Sequence, residues 1–103
     1  MTEYTVLTHL PDINIAMAAF ELITDRPEVN VTLIRTGQGT WLSYGLNAET
    51  DAEAVFKADE IRYAVSQTEN VEIPGYDAGA LKAFETAPMI VTSGRSVISS
   101  VGV

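Results

Sequence analysis

One histidine, fourteen acids and no cysteine bound the chemistry open to this chain of 103 residues. His9 stands three positions before Asp12. A histidine oriented by a carboxylate is the pairing a general base needs. No local motif sets a serine nucleophile beside it, and the plainer reading is a strand-end histidine half exposed to water. Gly37-Gln38-Gly39 is a lone GxG. A phosphate cradle needs a helix after such a loop, with its N-terminal N–H groups aimed at the anion. Here the following residues read as a strand, so the glycines belong to a hairpin turn.

The acids are unevenly placed. Between Glu49 and Asp77 lie eight acids and two bases, a net −6 of the chain's −8. Asp51, Glu53 and Asp59 lack the spacing and central glycine of an EF-hand loop, so no metal site is expected. Without cysteine there is no disulfide, thiolate site or thiol nucleophile. No cofactor motif is present, and the expectation is a protein that is not an enzyme. The acidic balance also argues against direct nucleic-acid binding and against anionic membranes. It suits a basic protein surface.

These residues need a scaffold. Hydrophobic content of 47% supports a core, and the length fits one domain spanning 1–103. The start Met1-Thr2-Glu3-Tyr4 shows no leader, and no apolar run reaches the ~20 residues of a membrane span. A soluble, cytoplasmic protein is expected.

Glu3 to Leu10 alternates as a strand, with Tyr4, Val6, Thr8 and Leu10 on one face. Pro11-Asp12 ends it, and Asp12 is the N-cap of a helix whose inward residues read as Ile13, Met17, Phe20 and Ile23, with Ala16 and Ala19 beside them. Pro27 closes that helix. Glu28 to Arg35 and Thr40 to Leu46 form a hairpin about the glycine turn. Thr50-Asp51-Ala52-Glu53 is a capping box opening a second helix. Ala54, Ala58, Ile61 and Val65 form its stripe, with Val55 and Phe56 flanking. Glu53 and Lys57 stand four apart. Asn70 to Ile73 reads as a fourth strand. Asp77 caps a short helix with Leu81 and Phe84 inward, and Met89 to Val103 forms a last hairpin.

The order predicts an α+β fold: a ferredoxin-like βαββαβ sandwich of antiparallel sheet and helices, with a C-terminal αββ extension. The extension either widens the sheet or exchanges with a neighbouring subunit. Leu10-Pro11-Asp12, a helix, then Val29-Asn30-Val31 and a glycine hairpin resemble the ACT domain, a ligand-sensing βαββαβ module, over residues 4–73. The resemblance implies an amino-acid site at Leu10, Pro11, Asp12, Ile13 and Asn14, and a dimer. ACT domains carry a glycine soon after the Pro-Asp position, where this chain has Ile13-Asn14-Ile15.

Three functional expectations follow. The first is a non-enzymatic acidic protein, an inhibitor, adaptor or regulatory subunit, that binds a basic protein through Glu49, Glu53, Asp59 and Glu60. It would imitate nucleic acid as small phage-encoded inhibitors do. Arg35 and Trp41 would form a second anchor, since both types are frequent at binding hot spots. Trp41 falls opposite Leu42 and Tyr44, and is either covered by the C-terminal elements or offered to a partner. The second is an ACT-like sensor of amino acids. The third is an assembly subunit pairing through the almost uncharged Met89–Val103 segment.

Overall fold

The computed structural model describes residues 2–26, 29–37, 39–68, 73, 75, 80–94 and 96–102. Alternation along Thr2–Leu10 produces β1, and Pro11 ends it. Asp12 then caps α1 (Ile13–Thr24), its Oδ1 accepting from the backbone N–H of Asn14 at 2.8 Å and of Ile15 at 3.4 Å. β2 (Asn30–Thr36) and β3 (Gly39–Ala48) form the hairpin. Thr50 caps α2 (Asp51–Ser66), its Oγ1 accepting from Glu53 N–H at 3.1 Å. The Glu53 carboxylate meets Lys57, one turn along, at 3.1 Å. A 3-10 turn (Ala80–Lys82) leads into α3 (Ala83–Thr86), and β4 (Met89–Ser93) with β5 (Ser96–Val101) completes the chain.

The five strands form one sheet in the order β2-β3-β1-β4-β5, and every neighbouring pair is antiparallel. β1 and β2 flank β3 and therefore run parallel to each other, with α1 as their connection. β3 and β4 flank β1 in the same way, with α2 between them in sequence. The architecture is α+β. The C-terminal hairpin widens this chain's own sheet. The strand next to β1 is β4 at Met89–Ser93; of the Asn70–Ile73 strand read from the sequence, only Ile73 is described, and it is a buried residue outside any strand. The expected Pro27 stop and Asp77 cap lie outside the described residues.

The core occupies one face of the sheet. Tyr4, Val6 and Leu10 of β1 meet Leu42, Tyr44 and Leu46 of β3, Met89 and Val91 of β4, and the inward sides of α1 and α2. Leu81 and Phe84 close one side, as their spacing predicts. α1 corrects the sequence in phase. Its buried residues are Ile15, Ala16, Ala19 and Ile23, whereas Met17 is 51% exposed. The two alanines let the helix backbone approach the sheet, which turns Met17 outward. No described helix is long and apolar enough to cross a membrane.

Candidate docking surfaces

α2 shows two faces of unlike composition. Ala54, Ala58, Ile61 and Val65 are buried against the sheet. At about 100° per residue, Phe56 and Tyr63 lie about 200° and 180° from Ala54, on the far side. They are 62% and 61% exposed, and the exposed carboxylates of Asp59 and Glu60 fall between them. Phe56, Asp59, Glu60 and Tyr63 thus occupy the i, i+3, i+4, i+7 positions of one outward face.

Two other acids of α2, Asp51 and Glu53, have local duties. Glu53 pairs with Lys57, whose Nζ also donates to the Asn47 carbonyl at 2.9 Å. Asp51 accepts the Tyr4 hydroxyl at 2.7 Å. That bond, ahead of burial, raises the Tyr4 pKa, because ionised Tyr4 would face the Asp51 carboxylate. Glu49 is exposed ahead of the helix, off the Phe56–Tyr63 face. Asp59 and Glu60 meet no cation among the described residues. Arg62 instead donates to the Glu85 carbonyl and ties α2 to α3.

Arg35 and Trp41 are near in sequence but do not form one patch. Arg35 pairs with Thr40, on the helix-covered face, while Trp41 pairs with His9 and Ile34 on the opposite face. Trp41 is half-buried, and its ring stacks on His9 with centroids 4.7 Å apart. β4 and β5 lie in the plane of the sheet and do not cover it. Gly39 underlies this contact: its φ is +129°, and a Cβ there would stand 2.7 Å from His9 Nε2. The second glycine of the GxG is required by this close approach. Further along the open face, Gly45 leaves a shallow hollow of about 270 Å³ rimmed by Glu3, Thr5, Asn30, Thr32, Ser43 and Asn47.

The β1–α1 loop borders a separate cleft. Leu10, Pro11 and Asp12 line it with Ile15, Ala87 and Pro88, around a volume of about 350 Å³. Ile13 and Asn14 stand outside the lining. At the start of α1 the Asn14 and Ile15 N–H groups already donate to the Asp12 carboxylate, which leaves less to offer a ligand carboxylate. The walls are mostly apolar, so the cleft suits an aliphatic group better than an ion.

The chain matches no family model, no curated protein and no solved structure. The site must therefore be argued from its own residues. No group of three or more potential metal ligands occurs among the described residues. The residues that the sequence reading left out are Phe56 as an outward residue and Tyr63 altogether. The signal was available, since projecting the Ala54–Ala58–Ile61–Val65 stripe around the helix places both aromatics opposite it.

Proposed function

We propose that this is a non-enzymatic acidic protein that works by contact, docking the outward face of α2 on a basic protein surface. One observation carries the reading: the helix buries Ala54, Ala58, Ile61 and Val65 and exposes its two aromatic residues, Phe56 and Tyr63. A helix that served only to cover the sheet would bury the larger rings, which are worth more per residue in a core. Phe56 and Tyr63, about 10 Å apart along the axis, suit two apolar pockets of a groove, with Asp59 and Glu60 meeting cations between them. The acids steer encounter, and the rings hold the complex. A partner that itself binds nucleic acid fits this charge, and the protein would act on it as an inhibitor or adaptor in the cytoplasm.

The test uses three baits on native lysate at low and high salt: the wild-type chain, Asp59→Lys/Glu60→Lys and Phe56→Ala/Tyr63→Ala. A basic protein retained by the wild type and lost from both variants is the expected outcome. Equal retention by all three baits overturns the reading.

For the fold, we read β1 to β4 with α1 and α2 as a ferredoxin-like sandwich to which β5 is added. The two split crossovers support this. An ACT-like sensor is the second reading, supported by the cleft at Leu10–Asp12. Its apolar walls and capped helix end favour an aliphatic amino-acid side chain as the bound part. Leucine, isoleucine or valine at 100-fold excess over Kd should then stabilise the fold by about 2.7 kcal/mol and raise its melting temperature. A flat melting curve across these ligands removes this reading.

A further inference from the structure

Gly39 and Gly45 stand on one strand, and the fold requires only the first. Gly39 has a positive φ, and a side chain there would strike His9. At Gly45 neither holds. Its φ is not positive, and it sits in unbroken register between Thr5 of β1 and Asn30 of β2. A Cβ at Gly45 would meet nothing closer than the Tyr4 carbonyl at 3.7 Å and Glu3 Oε1 at 4.0 Å, which are ordinary contacts. A glycine inside a strand loosens it, because the unfolded chain has more freedom to lose and no side chain packs on the sheet. With no bulge, no special φ and no steric demand, the reason left for it is close approach by something outside the chain.

The walls decide what approaches. The missing side chain opens the hollow of about 270 Å³, walled by Glu3, Thr5, Asn30, Thr32, Ser43 and Asn47. These supply one carboxylate, two amides and three hydroxyls, and no Lys, Arg or His is among the described residues that line it. An anion would meet Glu3 and no cation, on a chain of net −8. An apolar group would strip water from the amides and hydroxyls without replacing its hydrogen bonds. A ligand rich in hydroxyls does replace them: each hydroxyl can donate to Glu3, which only accepts, and can both donate to and accept from the others. The space is just under the ~300–1,000 Å³ of sites for drug-sized ligands, so it admits a single ring. We infer that this hollow is a binding site for a neutral sugar, one pyranose ring laid over the Gly45 backbone. It lies across the sheet from Phe56 and Tyr63 and is independent of the contact proposed for α2.

Amide correlation spectra of the isotope-labelled full chain, titrated at millimolar concentration with glucose, galactose, mannose and N-acetylglucosamine, test this. The expected result is a saturable shift with at least one of them, centred on the amides of Thr5, Thr32, Ser43 and Gly45. Gly45→Val fills the hollow and should weaken binding by on the order of tenfold or more, while melting no lower than the wild type. Glu3→Ala, at an exposed position, removes one wall without touching the strand interior and should also weaken it. Glucose phosphate and glucosamine, the charged counterparts, should bind no more tightly than the neutral sugar. No saturable shift with any neutral sugar, shifts centred away from Gly45, equal binding by both variants, or tighter binding of either charged sugar would each overturn the proposal.

Discussion

Phe84 and Phe56 are the same residue in opposite settings, and the contrast between α3 and α2 separates what holds this protein together from what it offers. Phe84, on a helix of four residues, is fully buried against the core, while Phe56, on a helix of sixteen, projects into water. A four-residue helix has almost no stability of its own, so packing must hold it in place. α2 has caps at its start and length to spare, and can carry an exposed ring without help. Phe84→Ala should therefore cost about 3–5 kcal/mol in urea denaturation, and Phe56→Ala less than about 1 kcal/mol. In partner binding the order should invert: Phe56→Ala should lose about 2 kcal/mol, roughly thirtyfold. Equal destabilisation by the two substitutions would erase the distinction.

Half of this contrast was legible in the sequence: Phe84 reads as inward, whereas Phe56 reads only as flanking the buried stripe and is 62% exposed. Asp12 and Thr50 announce both helix starts, and the alternation of β1 and β3 names the buried face, because caps and period-two patterns act locally. Leu81 and Phe84 were readable as inward for the same reason. The phase of α1 was not. Its apolar residues run nearly around the helix, and only the close approach of Ala16 and Ala19 to the sheet decides that Met17 faces out. The position of β4 beside β1 was also hidden, since strand order depends on contacts more than eighty residues apart. For the candidate site, Asp59 and Glu60 were visible as exposed acids. The separation of Arg35 from Trp41 needed the cross-strand register.

The start of α2 serves both of its faces, so its cap should matter to each. Thr50→Ala removes the acceptor for Glu53 N–H and should cost about 1 kcal/mol. The ring positions on the outward face should loosen with it, giving a modest loss of partner affinity. Stability measured by denaturant and affinity measured by titration would then fall together, unlike the split expected for Phe56→Ala.

Inside the covered face, two hydroxyls sit buried without a hydrogen-bond partner among the described residues, Thr8 Oγ1 and Tyr44 OH. Burial pushes the Tyr44 phenol well above its ordinary value of 10.0, and the nearby Asp59 carboxylate adds to the rise. Below pH 10 the phenol is protonated whether the chain is folded or not. Above it the unfolded chain releases this proton while the folded one keeps it, so stability falls as pH rises. Tyr44→Phe removes an unsatisfied polar atom and should be neutral or stabilising by up to about 1–2 kcal/mol. It should also flatten the decline of melting temperature expected above pH 10. A loss of stability would instead mean that a water satisfies the hydroxyl inside the fold.

The smallest effect on the fold is expected where the largest effect on encounter lies. Asp59 and Glu60 are exposed and meet no cation among the described residues, so Asp59→Lys/Glu60→Lys should shift unfolding free energy by no more than about 0.5 kcal/mol per site. Relief of like charge along α2 offsets the loss of carboxylates from its middle turns. Association with a basic partner should behave otherwise: the rate constant should fall, and its dependence on ionic strength should flatten, because screening acts only on the attraction these carboxylates supply. Dissociation should change less, since Phe56 and Tyr63 remain in place. If reversal slowed association and left its salt dependence as steep as before, the steering would come from elsewhere on the −8 surface, with the exposed Glu49 ahead of the helix as the next acid to reverse.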